Sequence, residues 1–356
     1  MTATTAAAAA DFLIDVSGRL MSAASDPPIR TVMNIACGGQ LDSRTPDGRP
    51  ASGLTLSGLP FETSVSGGRG RYSPSVRYVT ESATQLPLFA ERVTAQLATI
   101  SDLLTWLPTA GRTTADLMRS FVTALYPDPT QVPARQRSAL WTGVVHHPEA
   151  PQHAARLKVY GGPSVVPGAL QRLRNRWPDF ADLTTVPEDD RFFRYAGAAI
   201  EADALGQVSH KTYLAARYRD KAVPMKLVRH FGDPAWEILS ELIRAGVDAT
   251  ALHEYSFFAC CTGSSDSPSF ALSMMPRRAD QDLTGLAREL AGRHHGSTYA
   301  VDALRQAARA HGARWRYSGI GLGFSADYGI DKLNVYGTPT WDTAADAPTT
   351  RSGTAP

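Results

Sequence analysis

Arg156-Leu-Lys-Val-Tyr-Gly161, Ser209-His-Lys-Thr-Tyr-Leu214 and Lys332-Leu-Asn-Val-Tyr336 carry one pattern: a lysine and a tyrosine with an odd number of residues between them. A β-strand turns successive side chains to opposite faces, so this spacing puts both on one face. Leu157 and Val159 oppose Lys158 and Tyr160. Thr212 and Leu214 oppose Lys211 and Tyr213, and Leu333 and Val335 oppose Lys332, Asn334 and Tyr336. Arg77 stands in the same way between Val76 and Tyr78.

Working outward, each such segment is the second strand of a hairpin. The first hairpin pairs Thr55–Ser66 with Ser75–Glu81 across the turn Gly67-Gly-Arg-Gly70. Apolar residues at helical spacing follow (Leu88, Val93, Leu97, Ile100, Leu104), then a second helical stretch from Thr114 to Leu125. The unit recurs. Ala139–His146 pairs with Arg156–Gly161 before a helix from Pro167 to Trp177, and Tyr195–Glu201 pairs with Ser209–Tyr218 before helices over Pro224–Ala245. Glu254–Cys261 pairs with Ser269–Met275 before Leu283–His311, and Tyr317–Phe324 pairs with Lys332–Tyr336. Repetition of this kind sets the architecture.

Ten strands leave two exposed edges unless the sheet closes. The predicted fold is therefore α+β, a closed ten-stranded antiparallel β-barrel surrounded by helices. One domain is expected over residues 1–341: an N-terminal helix (Thr5–Ala24) and a Gly/Pro/Ser-rich loop to Gly53, then five hairpin-helix repeats over 54–341. The Thr/Ala/Pro-rich stretch 342–356 is predicted to be a disordered tail. If helices cover the apolar face of each hairpin, the face bearing Lys, Arg and Tyr lines an enclosed lumen. Such a lumen suits an anionic leaving group beside a carbocation.

Composition narrows the partners. The 356 residues are 43% hydrophobic with a formal net charge of +2 and no run of five basic residues, which argues against nucleic acid or an anionic membrane as partner. No apolar stretch approaches the roughly 18 residues of a membrane span, and Met1–Ala10 lacks the basic start of a secretion signal. Three cysteines, Cys37, Cys260 and Cys261, suit neither a disulfide framework nor a zinc site. A cytoplasmic setting is expected.

Gly58-Leu-Pro-Phe-Glu-Thr-Ser64, followed by Val76-Arg77-Tyr78, resembles the Gly-x-Pro-x-Glu-x-Ser strand and its partner in the dimethylallyltryptophan synthase family of aromatic prenyltransferases. That family's barrel is built of repeated α-β-β-α units. Leu157-Lys-Val-Tyr160, Lys211-Thr-Tyr213 and Gly323-Phe-Ser with Lys332-Leu-Asn-Val-Tyr336 are similar to its later signatures, and the order of elements is shared from Leu54 to Pro339. The resemblance implies transfer of a dimethylallyl or geranyl group from its diphosphate to tryptophan or another tryptophan-like aromatic acceptor. By motif position, Glu62 would hold the indole N–H, and Arg77, Lys158 and Lys211, joined by Lys332, would bind diphosphate. Tyr160, Tyr213 and Tyr336 would line the allyl pocket. The chain departs from the pattern at Ser209, where arginine is frequent, at Lys332, where tyrosine is common, and along Phe270–Met275, which lacks the expected polar and aromatic residues.

Ionising an allylic diphosphate creates a diphosphate anion and a delocalised cation. Fixed positive charge stabilises the first, and tyrosine faces stabilise the second by roughly 0.5–2 kcal/mol each. No metal or other cofactor is expected, because Asp189-Asp190 lacks a third carboxylate at magnesium-binding spacing and reads as a helix start or polar loop. The pairs His146-His147 and His294-His295 read as surface or loop histidines, Cys260-Cys261 as core packing, and Trp106, Trp177 and Trp236 as helix packing anchors. Two alternatives stay open. One is a phenol or phenazine prenyltransferase with the same barrel, which has no need of Glu62; the other is a non-catalytic carrier of an apolar ligand.

Overall fold

Apolar residues every third or fourth position make Ala6–Leu20 a helix (α1) whose inward stripe includes Ala9, Phe12, Leu13, Val16 and Leu20. The computed structural model describes residues 6–21, 26–108, 111–150, 152–183, 186–187, 190–216, 220–263 and 269–341. The tail 342–356, Asp189, Arg217-Tyr218 and both ends of the predicted first helix lie outside the described residues. After α1 the chain runs α2 (Asp26–Cys37), β1 (Phe61–Gly68), β2 (Arg71–Tyr72), β3 (Val76–Thr80), α3 (Phe89–Leu104), α4 (Arg112–Leu125), β4 (Leu140–His146) and β5 (Arg156–Gly161). It continues with α5 (Ala169–Arg176), α6 (Asp179–Asp182), β6 (Phe193–Asp203), β7 (Val208–Ala216), α7 (Val223–Phe231), α8 (Asp233–Arg244), β8 (Ser256–Gly263) and β9 (Ser269–Met275). The last elements are α9 (Thr284–His294), α10 (Tyr299–Ala310), β10 (Ala313–Ser325) and β11 (Gly329–Trp341).

Ten of these strands form one antiparallel sheet in chain order, and β11 returns to pair with β1 through Thr63↔Gly337, Val65↔Val335 and Gly67↔Leu333. That pairing closes the barrel. The short β2 only extends the first hairpin, on β1.

Three local readings change. The stretch read as loop before Gly53 contains α2, whose Pro27 and Pro28 occupy the first helical turn, where a missing N–H costs nothing. Each hairpin is thereby preceded by a helix pair, the first included. Residues 55–60 are a turn rather than strand: Gly58 has φ +84°, its amide donates to Thr55 O at 3.1 Å, and Pro60 offers no donor. The predicted turn Gly67–Gly70 is half strand. β1 runs through Gly68, and only Arg69 (φ 54°) and Gly70 (φ 76°) turn, as a two-residue hairpin loop requires.

The helices cover the outer face. Phe61, Tyr78, Leu157, Val159, Leu214, Leu333 and Val335 are at most 2% exposed. Phe12 of α1 meets Phe61 edge-on at 6.4 Å and stacks on Trp315 at 6.0 Å, locking the first helix over the closing strands. No helix among the described residues is long and apolar enough to cross a membrane.

A β-carbon at Gly68 would run into the Asp331 carbonyl of β11. Gly68→Ala is therefore expected to cost about 1–3 kcal/mol by prying the seam apart, read as a lower urea midpoint. An unchanged midpoint would show that the β1–β11 seam is slack.

Candidate active site

Residues directly opposite one another in a sheet share a face, so the strand register traces the interior residue by residue. One row runs Glu62, Val79, Gly143, Lys158, Glu201, Ser209. Another joins Arg77 to Ser64 and Tyr336, a third joins Tyr160 to Ala199 and Lys211, and a fourth runs Gly197, Tyr213, Cys260, Ala271, Gly323, Lys332. All eight residues singled out in the sequence therefore face the lumen.

The cations cluster around a carboxylate that sequence reasoning passed over. Glu201 Oε2 lies 2.8 Å from Lys158 Nζ and 3.1 Å from Lys211 Nζ, and Oε1 lies 3.5 Å from Arg156. Burial opposes its charge, yet Lys158 and Lys211 hold it well below the ordinary carboxylate range. Lys332 is pushed down to about 8 by burial and by the nearby charges of Arg77, Lys211 and Lys158. Arg77 is lowered by burial and by Arg156; its Nε donates to Ser75 Oγ at 3.0 Å, which fixes its direction. The cations thus share a region short of negative charge. Glu201 was visible in principle as the residue opposite Lys158, but only once the register was known.

Aromatic rings line the lumen beside these charges. Tyr160 and Tyr213 have ring centroids 5.8 Å apart, Lys158 Nζ lies 5.2 Å from the Tyr160 ring centre, and Trp141 stands 6.4 Å from Tyr160. Burial raises the phenols of Tyr160, Tyr213 and Tyr336, which keeps them neutral donors. Each ring lies over an inward glycine: a β-carbon at Gly143, Gly197 or Gly321 would sit 3.2, 3.3 or 3.4 Å from Tyr160, Tyr213 or Tyr336. Glycine at those positions leaves room for the rings, and Gly319, Gly321 and Gly323 clear one wall of side chains.

Glu62 is 7% exposed and accepts a hydrogen bond of 2.5 Å from Ser318 Oγ. Ser318 sits at a β-bulge between Tyr317 and Gly319, which turns its hydroxyl inward. Burial pushes the Glu62 carboxyl up to about 7 against the pull of that hydroxyl. A second carboxyl, Glu81, is also driven to about 7 by burial while accepting from Ser52 Oγ, Ser138 Oγ, Ala139 N and Trp141 Nε1 at 2.5–3.2 Å. It ties the loop containing Ser52 to β4 and orients Trp141.

Other expectations fail for identifiable reasons. His146 and His295 are buried rather than superficial, 1% and 2% exposed: His146 stacks on Tyr78 at 5.7 Å, and His295 meets Leu333 O at 3.2 Å. Burial lowers His146 to about 4, so it is a neutral packing group. Cys260 lines the lumen beside Tyr213, whereas Cys261 faces outward, and burial raises its thiol to about 12. Trp236 is 56% exposed on α8 rather than a buried packing anchor. No group of three or more His, Cys, Asp or Glu that could hold a metal occurs among the described residues.

No protein-family model matches this sequence, and no curated protein does either. Solved structures do. The crystal structure of 5-dimethylallyltryptophan synthase from Streptomyces coelicolor is similar over 94% of this chain and 97% of its own, with TM-score 0.69 and 18% identity. The prenyltransferase PriB, in a ternary complex with L-tryptophan and dimethylallyl thiolodiphosphate, matches over 95% and 99%, with TM-score 0.68 and 18% identity. AnaPT from Neosartorya fischeri matches over 88% and 86%, with TM-score 0.56 and 13% identity. The chain has the ABBA prenyltransferase fold.

In this ABBA barrel the raised pKa of Glu62 links stability to pH. The folded state binds a proton near pH 7 that the unfolded chain releases near the ordinary 4.5, so stability falls as pH rises through that window. The full cost is of the order of 3 kcal/mol above it. Glu81 adds a slope of the same sign. Glu62→Gln should remove about half of the stability lost between pH 4.5 and 8 in urea unfolding; an unchanged slope would mean that Glu62 stays ionised in the fold.

Proposed function

We propose that this protein is an aromatic prenyltransferase that moves a dimethylallyl group from dimethylallyl diphosphate to the indole of tryptophan or a tryptophan-derived acceptor, without a metal. The observation that carries the reading is the presence, within one closed lumen, of a buried carboxyl held by Ser318 rather than by a cation and of a cluster of cations lined by tyrosines. Solved barrels of the same fold support it, one being 5-dimethylallyl tryptophan synthase in complex with DMASPP and Trp.

On this reading Arg77, Lys158, Lys211 and Lys332 bind the diphosphate and stabilise the negative charge that grows as the allylic C–O bond ionises. Their charge takes the place a divalent ion would otherwise fill. Tyr160, Tyr213 and Tyr336 shield the cation from water and face it with their π-systems. Glu62 accepts the indole N–H, raising the nucleophilicity of the ring, and with a pKa near 7 it takes the proton lost when the arenium ion regains aromaticity. A phenol acceptor leaves Glu62 without this partner, and a passive carrier has no use for buried cations.

Incubation with dimethylallyl diphosphate and L-tryptophan should yield a singly prenylated product by mass spectrometry and release diphosphate, with and without EDTA. Glu62→Gln and Lys211→Ala should each lower kcat/KM by roughly 100-fold or more. In the free enzyme kcat/KM should rise through about pH 7 as Glu62 ionises and fall above about pH 8 as Lys332 loses its proton. Lys332→Arg should carry the alkaline limb upward. Loss of turnover in EDTA would overturn the metal-free reading, and full activity of Glu62→Gln would overturn the indole reading.

A further inference from the structure

Carboxyls inside this protein are held in two different ways. Glu81 is satisfied by hydroxyls, a backbone amide and an indole N–H, the partners of a group that ties a loop to a strand. Glu201, among the described residues, is held by cations alone. It stands on β6 between β5 and β7: Lys158 is directly opposite it on one side, and Lys211 reaches it from beside Ala199 on the other. Both ammonium groups converge on one oxygen, Oε2, at 2.8 and 3.1 Å, and the three side chains are only 13–17% exposed. Ser209, which faces Glu201 on β7, adds no charge of its own.

The two lysines are therefore fixed by a group of the same sign as the ligand proposed for them. A lysine stem is flexible, and pairing with Glu201 sets where each ammonium points. An ammonium carries three N–H donors, so one placed on Oε2 leaves the others for the lumen. Arg77 and Lys332 form no ion pair among the described residues, and both are lowered by burial and by neighbouring cations. The charge of Glu201 works against that lowering at Arg77, Lys332 and Lys211 alike. One carboxylate thus acts on the whole cationic cluster, and an anion entering the cluster meets it as a like charge.

We infer that Glu201 is a positioning residue of the donor site that also limits its affinity: it aims Lys158 and Lys211 into the lumen, stays on them when diphosphate arrives, and keeps the anion from being held as tightly as the cations alone would hold it. The inference rests on the proposed diphosphate site and deepens it. Diphosphate is part of the donor and also the product that must leave. A purely cationic cluster would retain that product and delay the next turnover.

Calorimetric titration with inorganic diphosphate at about pH 6, where Lys332 keeps its proton, tests this without an acceptor. Glu201→Gln should bind diphosphate roughly tenfold more tightly than the unaltered protein, and Glu201→Asp, which keeps the charge, should stay within about threefold of it. Inhibition of tryptophan prenylation by added diphosphate should strengthen in the same order. Loss of a merely structural tie would weaken binding, so the direction of the change separates the two roles. Equal or weaker binding by a Glu201→Gln protein with an unaltered urea midpoint overturns the inference while prenylation of tryptophan persists. A crystal structure of the unaltered protein with diphosphate needs no variant: Lys158 Nζ and Lys211 Nζ should each bridge Glu201 and a phosphate oxygen, and an anion beyond about 3.5 Å from both amines overturns the inference as well. Absence of diphosphate binding at millimolar concentration overturns the proposed donor site itself, and the role of Glu201 with it.

Discussion

Everything inside this protein depends on one strand pairing, that of β1 with β11. An open sheet of ten alternating strands would present its lysines and tyrosines to water as an ordinary polar face. Closure reverses the meaning of that face. Once Thr63 pairs with Gly337 and the helices cover the apolar side, Lys158, Lys211 and Lys332 point into a space bounded by the same sheet. The seam is tight: Gly68 admits no side chain beside β11, and Gly337 lies under the Trp315 ring, which itself stacks on Phe12. The N-terminal helix therefore holds the barrel shut.

Enclosing several cations in one lumen is unfavourable, and the protein meets the cost in part with Glu201. That carboxylate pairs with Lys158 and Lys211 and partly offsets the downward pull of burial on Lys211. It does not neutralise the cluster, because Arg77 and Lys332 are still depressed by burial and by neighbouring cations. A negative charge placed among these cations would lower that electrostatic cost. Glu62 presents the converse case. With only Ser318 to stabilise its charge, it is poised between two protonation states near neutral pH, as proton-transfer groups are.

The strand pattern was legible because alternation is a local property: Arg156–Gly161 and Ser269–Met275 form strands over the stretches their sequences predict. The inward face followed from the same alternation. What escaped depends on register or on tertiary packing. α2 was hidden behind Pro27-Pro28, which break a helix anywhere except its first turn. Glu201 became meaningful only opposite Lys158, and Ser318 only through a bulge that no spacing rule announces. His146 looked polar and therefore superficial, but the Tyr78 ring and hydroxyl give it a buried partner.

The fourth hairpin, whose pattern departs from the others, accounts for the lumen's asymmetry. Its inward residues include Cys260, Ala271 and Ser273, and the facing strand β10 contributes Gly321 and Gly323. Tyr160, Tyr213 and Tyr336 come from β5, β7 and β11. A barrel lined with large rings on every strand would fill its own interior, as small closed barrels do. Cys260, Ala271, Ser273, Gly321 and Gly323 keep this wall low, whereas Phe258, opposite Ser273, and Met275, over Gly319, carry larger side chains on the same face. The gap in the repeat thus leaves room inside the ring of side chains that the other repeats build.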